Sequence, residues 1–127
     1  MERATITGLE GAEYLDKRQG GERKREGDGP VQLTEWTDRV YLDTESTCVV
    51  RDEGRVRELE LSKNNSRSTV VWNPWPEGSA SFADMEPDAW REMLCVESAN
   101  VGEAAVMLRP GDAHTMSTRL AVRPQVE

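Results

Sequence analysis

The side chains with the clearest chemical potential lie in two stretches of this 127-residue chain. Trp72, Asn73 and Trp75 stand at the end of one apolar run, and Glu97 stands at the end of another. Tryptophan rings pack against the C–H faces of sugars, and an asparagine amide hydrogen-bonds sugar hydroxyls. A carboxylate among apolar neighbours is suited to act as a general base, because desolvation raises its pKa towards neutrality. Together these residues predict a carbohydrate site with one catalytic carboxylate.

The same residues also have purely structural interpretations. Tryptophans such as Trp72 and Trp75 are more often core or bulge residues than platforms for a ligand. A lone carboxylate such as Glu97, on a strand with an alternating pattern, most often faces solvent. Composition alone favours these interpretations, so the functional hypothesis depends on the order of the motifs along the chain.

The elements that must position these residues are predicted to be strands. Short runs of β-branched and apolar residues, separated by turn residues, recur through the chain and are typical of an antiparallel, all-β sandwich. Pro74 and Pro76 must end the strand that carries Trp72, because proline cannot donate to a strand ladder.

Three other parts of the chain have a distinct pattern. Residues 17–30 are rich in Lys, Arg, Glu and Gly, which predicts a charged, mobile loop. The one predicted helix is short and covers residues 87–94, with a proline in its first turn. Apolar residues in 104–108 and the alternation of 114–122 predict two further strands around a Pro-Gly turn.

The order of three motifs carries a resemblance to a known family. Val-Trp-Asn-Pro-Trp at 71–75, Ala-Asp at 83–84 and Cys-Val-Glu at 95–97 follow one another at the expected spacing. This order resembles that of the D-hexose-6-phosphate mutarotases (glucose-6-phosphate 1-epimerases), a branch of the aldose 1-epimerase family. The resemblance spans nearly all of residues 1–127 but only the C-terminal part of a family member, somewhat less than half.

The resemblance implies a fold, a reaction and a set of site residues. The fold is the C-terminal portion of a galactose-mutarotase-like β-sandwich (supersandwich) with one short helix. The reaction is the interconversion of the α and β anomers of a hexose 6-phosphate, with no cofactor and no metal. The implied base is Glu97, and the implied substrate contacts are Asp38, Trp72, Asn73 and Trp75.

The general acid has no counterpart in the chain. In the family it is a histidine upstream of the segment that resembles residues 6–9, as are the arginines that bind the phosphate. His114, the only histidine, follows Glu97 near a Pro-Gly turn and is predicted to have no chemical role. We therefore expect a fragment with weak or no activity alone. The alternative is a non-catalytic sandwich that binds carbohydrate or another protein.

Charge and composition exclude other classes of partner. The net charge of −8 disfavours nucleic acid and membrane surfaces, both of which favour basic patches. The chain has no apolar run long enough to span a membrane and no signal-peptide pattern at its N-terminus, which predicts a cytoplasmic location. A half-sandwich with few aromatic residues also predicts self-association through exposed sheet edges.

Cysteines and carboxylates complete the inventory of reactive groups. Cys48 and Cys95 lack the spacing of a metal site or a redox pair, so both are predicted to be reduced and mostly buried. A metal site built from Asp16, Asp84 and Glu97 is the weakest hypothesis, because sites with only oxygen ligands need a denser carboxylate cluster.

Overall fold

The chain folds into two antiparallel sheets that pack face to face. A computed structural model describes residues 1–126. The elements are β1 (Ala4–Thr7), β2 (Glu13–Asp16), β3 (Glu22–Arg25), β4 (Val31–Gln32), β5 (Thr37–Tyr41), β6 (Cys48–Asp52), β7 (Arg57–Asn64), β8 (Ser68–Asn73), α1 (Trp75–Ser81), β9 (Cys95–Ala99) and β10 (Ser117–Pro124).

Each sheet contains five strands. Sheet A has the order β10-β7-β6-β1-β4, and sheet B has the order β3-β2-β5-β8-β9. All neighbouring strands run antiparallel, and within residues 1–126 the chain crosses between the sheets six times. The predicted all-β sandwich with a short helix is therefore confirmed. No helix within residues 1–126 has the length and apolar character needed to cross a membrane.

The core lies between the inner faces of the two sheets. Alternate residues of each strand point inwards, as the period of two requires. In β1, for example, Ala4 and Ile6 are buried while Thr7 is exposed. The buried hydrophobic cluster consists of Ala4, Ile6, Leu9, Tyr14, Val31, Leu33, Tyr41, Cys48, Val50 and Val71.

The segment predicted as a loop contains regular structure. Within residues 17–30 the chain forms a 3-10 turn at Lys17–Gln19 and then β3, which pairs with β2. Cross-strand ion pairs replace apolar burial here: Arg23 and Arg25 both contact Glu13 at 2.6 Å. The loop prediction was wrong for β3 because it considered only apolar burial, whereas opposite charges across a hairpin also stabilise it.

The helix lies elsewhere than the sequence predicted. Residues 87–94 contain only a 3-10 turn at Ala89–Arg91, whereas α1 follows β8 directly. Pro74 and Pro76 end β8 as predicted, but they also sit at the start of α1, where a missing N–H costs nothing. Residues 104–108 are not a strand either, since a 3-10 turn at Gly102–Ala104 leads into irregular chain before β10.

Candidate functional site

The pairing of β5, β8 and β9 brings several predicted site residues to one face of sheet B. Val71 is fully buried, so its neighbour Trp72 points to the opposite, solvent side. Asp38 on β5 and Cys95 on β9 are the direct partners of Trp72, so all three share that side. We call this surface the outer face of sheet B.

Glu97 belongs to the same outer face. It lies opposite Val70 on β8, and is therefore the diagonal neighbour of Trp72, at a Cα separation of roughly 7 to 8 Å. Its side chain is exposed, unlike the desolvated carboxylate that its apolar sequence neighbours predicted. The reason is the strand itself: Val96 precedes Glu97 but points into the sandwich, where it packs against the core. The face thus holds an accessible carboxylate beside an aromatic ring.

A cluster of three aromatic side chains borders this face. We call Trp36, Trp72 and Phe82 the aromatic wall. Phe82, just after α1, lies 6.0 Å from Trp72 and 6.3 Å from Trp36, measured between ring centroids. The guanidinium of Arg18 stacks on Trp36 at 3.6 Å from the ring centroid. Trp36 stands two residues before Asp38. The alternation of residues along β5 was therefore the one sequence signal that could have placed Trp36 on the same side as Asp38. Phe82 and Arg18 gave no such signal.

A polar cleft of about 230 Å³ adjoins the wall. Its lining residues are Asp16, Arg18, Gln19, Glu35, Trp36 and Glu77. Carboxylates, an amide, a guanidinium and an indole together suit hydroxyl groups, since the lining offers both donors and acceptors beside an apolar plane. The cleft shares Trp36 with the aromatic wall.

Gly78 allows α1 to pack against the aromatic wall. A Cβ atom at this position would lie 3.0 Å from a ring atom of Trp36 and 2.6 Å from the Cβ of Pro74. The close approach of Trp36 explains why glycine stands at this position.

The structure does not bring Asn73 to the outer face of sheet B, and its sugar contact stays a prediction. Asn73 is 2% exposed, and its amide nitrogen donates to the carbonyls of Trp90 (3.0 Å) and Met93 (2.8 Å). Its carbonyl oxygen accepts from the backbone N–H of Trp75 at 2.9 Å. With its amide used in this way, Asn73 ties the β8–α1 turn to the segment before β9.

Trp75 also lies away from the candidate site. Its backbone is left-handed, with φ of 54°, and its ring packs against the core cluster. The ring centroid of Trp90 is 4.7 Å from that of Trp75. The turn after β8 rotates the Trp75 side chain to the inner side of the sheet, so the structure does not bring it together with Trp72, and its sugar contact stays a prediction. Of the two tryptophans in the motif, only Trp72 reaches the outer face.

Comparison with known proteins places this arrangement in a family. The sequence model of the family described as aldose 1-epimerase matches residues 2–121. The chain belongs to the aldose 1-epimerase family. A protein named "Putative glucose-6-phosphate 1-epimerase" from Escherichia coli (strain K12) is 31% identical over 122 residues, which are 95% of this chain and 41% of that protein. A protein of the same name from Cenchrus ciliaris is 32% identical, over 84% of this chain and 32% of that protein.

Solved structures agree with the family assignment. A crystal structure described as a "putative mutarotase (YeaD)" from Salmonella typhimurium matches with a TM-score of 0.71 and 31% identity, over 76% of this chain and 32% of that one. The structure of HI1317, at 18% identity, has the same fold with a TM-score of 0.79, over 96% of this chain and 41% of that one. The chain thus spans less than half the length of each of these four proteins.

The two cysteines of the chain are unpaired and lie in different surroundings. Cys48 is fully buried, and this burial raises the pKa of its thiol to about 11. Cys95 is half-buried on the outer face, where burial and the nearby charge of Glu97 raise its pKa above that of a free cysteine. Cys48 is buried as predicted, whereas Cys95 is only partly buried.

The other reactive side chains do not gather at the outer face. His114 is exposed in the chain between β9 and β10, next to Thr115, whose carbonyl accepts from Asn65. Asp16 is buried and ion-paired with Lys24 at 2.8 Å. Within residues 1–126, no three His, Cys, Asp or Glu side chains converge as a metal site would require. The weak hypothesis of a metal bound by Asp16, Asp84 and Glu97 has no support.

Proposed function

We propose that the outer face of sheet B is part of a site that interconverts the α and β anomers of a hexose, with glucose 6-phosphate as the substrate. Glu97 is the general base, and Asp38 and Trp72 contact the sugar. The observation that carries the proposal is the placement of these three side chains on adjacent strands of one face, in a chain of the aldose 1-epimerase family.

The dimensions of this face suit a hexose ring. Asp38 and Glu97 lie on strands that flank β8, so their backbones are roughly 10 Å apart across the sheet. Trp72 lies between them and offers an aromatic surface on which the C–H face of a sugar can pack. In this arrangement Asp38 accepts a hydrogen bond from a ring hydroxyl, while Glu97 reaches the anomeric hydroxyl.

Mutarotation needs a base and an acid. Glu97 removes the proton of the anomeric hydroxyl as the ring C–O bond breaks, and an acid protonates the ring oxygen. After rotation about the C1–C2 bond, the two groups exchange roles and the ring closes on its other side. The exposure of Glu97 leaves it free to approach the hydroxyl. No acid is assigned to this chain, because its one histidine, His114, belongs to a different segment.

The base is tested by anomer exchange, measured by NMR on glucose 6-phosphate. The assay uses this chain joined, in native order, to the part of the Escherichia coli relative that lies outside the match; we call this the joined protein. Glu97→Gln keeps the shape of the side chain and removes the base, so the exchange rate is expected to fall by about 10² or more. Exchange at the unsubstituted rate would remove Glu97 from the mechanism.

Two control variants accompany Glu97→Gln. Glu53→Gln changes an equally exposed carboxylate in the turn between β6 and β7, and should leave the exchange rate unchanged. His114→Ala should leave the rate within a few-fold, because we assign no chemical role to His114. A loss as large as that for Glu97→Gln would instead identify His114 as the acid.

Binding by the chain alone provides a measurement that does not require turnover. Saturation-transfer NMR should detect glucose 6-phosphate on the 127-residue chain, and Trp72→Ala should abolish the signal. Trp75→Ala is the matched control, since Trp75 lies on the inner side of the sheet and its loss should affect stability more than binding. Equal binding by the Trp72→Ala variant would refute the placement of the sugar on the outer face.

A further inference from the structure

The polar cleft beside Trp36 has no part in the proposed anomer exchange. Its volume is about 230 Å³, and we call it the Trp36 cleft. Pockets that hold drug-sized ligands measure about 300 to 1,000 Å³, so this cleft suits a smaller ligand, such as a single sugar ring. The side chains that line it are those of Asp16, Arg18, Gln19, Glu35, Trp36 and Glu77.

Asp16 fixes the part of the chain that carries Arg18 and Gln19. Its side chain is buried, accepts a hydrogen bond from the backbone N–H of Arg18 at 3.1 Å and is ion-paired with Lys24 at 2.8 Å. Asp16 thereby caps the 3-10 turn at Lys17–Gln19. Arg18 and Gln19 therefore reach the cleft from a turn that buried polar contacts hold in place.

The Trp36 cleft contains hydrogen-bond donors that the fold leaves unused. The guanidinium of Arg18 stacks on Trp36, 3.6 Å from the ring centroid, and forms no ion pair within residues 1–126. Stacking holds the planar guanidinium in place and leaves the N–H groups at its edge free for a ligand. The indole N–H of Trp36 is buried and has no acceptor in the same part of the chain. Most buried donors in folded proteins have a partner, so this one marks an incomplete set of contacts.

The charges of the lining favour neutral hydroxyl groups over phosphate. Glu35 and Glu77 are exposed carboxylates, whereas the charge of Asp16 is balanced by its ion pair with Lys24. Arg18 is the one cation among the lining residues, so the cleft has a net negative charge. A sugar hydroxyl both donates and accepts, and can therefore pair with a carboxylate and a guanidinium at once. A phosphate would be repelled by the two glutamates.

We propose that the Trp36 cleft binds one neutral sugar ring through its hydroxyl groups, in addition to the hexose that we place on Trp72. Arg18 donates to one hydroxyl group, and Glu35 and Glu77 accept from others. This site uses neither the catalytic base nor an anomeric hydroxyl. Its test is therefore independent of the proposed reaction.

The proposal is tested with methyl α-glucopyranoside, a neutral sugar whose blocked anomeric oxygen prevents anomer exchange. Each of the four tryptophans gives one indole N–H signal in a proton–nitrogen correlation spectrum, and single substitutions by phenylalanine assign these signals. Titration of the 127-residue chain with the methyl glucoside should shift the Trp36 signal. Arg18→Ala should weaken this binding by at least about tenfold, because a hydrogen bond from a charged group is lost. Arg109→Ala removes an exposed arginine outside the cleft and should leave the affinity unchanged.

The charge of the cleft is tested with glucose 6-phosphate as the competing probe. In the unsubstituted chain, glucose 6-phosphate should bind at Trp36 more weakly than the methyl glucoside. In the double variant Glu35→Gln, Glu77→Gln this preference should disappear, because the repulsion of the phosphate is removed. A merely structural role of the two glutamates would not change the preference between the two sugars. The backbone amide signals report whether each variant is folded.

Three results would each overturn the proposal. They are the absence of any shift of the Trp36 signal with the methyl glucoside, an unchanged affinity in Arg18→Ala, and a preference for glucose 6-phosphate in the unsubstituted chain. In any of these cases a shift of the Trp72 signal by glucose 6-phosphate would still support the proposed reaction site. Failure at the Trp36 cleft is thus distinguishable from failure of the proposed function.

Discussion

Cys95 offers a chemical probe of the outer face at the scale of a single residue. Burial and the charge of Glu97 raise its pKa, so its reactive thiolate forms at higher pH than that of a free cysteine. Alkylation by iodoacetamide should therefore be slow at neutral pH and accelerate as the pH rises beyond the usual range for cysteine. In the Glu97→Gln variant the acceleration should begin at lower pH, because the neighbouring negative charge is gone. Mass spectrometry after proteolysis measures the rate.

The same reaction reports on ligand binding. Cys95 is the direct partner of Trp72, so a sugar packed on that ring should cover the thiol. Saturating glucose 6-phosphate is expected to slow the alkylation of Cys95 in the folded chain. Cys48 supplies the internal control, since it is fully buried and should react only on unfolding. Unchanged alkylation of Cys95 would argue against a sugar at this face.

Asn73 is predicted to contribute stability and no binding. Asn73→Ala removes three hydrogen bonds and leaves the carbonyls of Trp90 and Met93 and the N–H of Trp75 without this partner. The free energy of unfolding should fall by about 2 to 4 kcal/mol, as expected when buried polar groups lose their partners. Asn64→Ala, at an exposed position, should change it by less than about 0.5 kcal/mol. Urea denaturation measures both.

The opposite outcome for Asn73 is also informative. If Asn73→Ala retained full stability but lost glucose 6-phosphate binding, the sequence-based prediction of a sugar contact would be right. The buried hydrogen bonds of Asn73 would then contribute nothing to the free energy of unfolding. Saturation-transfer NMR on the folded variant separates the two results.

At the scale of elements, the packing of α1 against the aromatic wall gives a test through Gly78. Alanine favours a helix over glycine by about 1 kcal/mol, so propensity alone predicts that Gly78→Ala stabilises the protein. The added Cβ would overlap Pro74 and press on Trp36, and overpacking of this kind costs about 1 to 3 kcal/mol. We expect a net loss of stability in thermal denaturation. Ala80→Gly, on the exposed side of α1, should lower the stability only by the loss of helix propensity.

The residue patterns predicted where strands form better than they predicted which side chains are in contact. The period of two marks strands such as β8, whose fully buried Val71 and outward Trp72 follow the alternation. It could not place Asn73 and Trp75, because they stand where the strand turns into α1 and the alternation ends. The desolvation expected for Glu97 failed for a related reason: neighbours in sequence occupy opposite faces of a strand. Only the register of β5, β8 and β9 shows which side chains meet.

Charge explains the other misjudged elements. Strand β3 buries little apolar surface, and ion pairs of Arg23 and Arg25 with Glu13 and of Lys24 with Asp16 join it to β2. A hydropathy pattern does not register such cross-strand pairs. The order of the family motifs, by contrast, predicted the sandwich and the family, since it depends on residue identity and not on hydropathy.

For the whole molecule, the exposed apolar side chains of β10 and the net charge act in opposite directions. The exposed Leu120 and Val122 favour association of the isolated chain, whereas the charge of −8 per copy opposes it. Salt screens the repulsion over about 10 Å at 0.1 M and leaves apolar attraction in place. Self-association of the chain should therefore be weak at low ionic strength and increase with salt. Sedimentation velocity at several salt concentrations measures it.

The stability of the isolated chain follows from the same surface. Leu120 and Val122 stay in contact with water in the folded chain, so folding gains less free energy from them than if they were buried. We expect a low thermal midpoint for the isolated chain. The Leu120→Glu variant should have a higher midpoint only if the substitution blocks aggregation and leaves the core packing unchanged. Circular dichroism during heating measures the midpoint, and sedimentation measures the state of association. Cooperative unfolding of a soluble monomer at high temperature would contradict the expectation of a marginally stable chain.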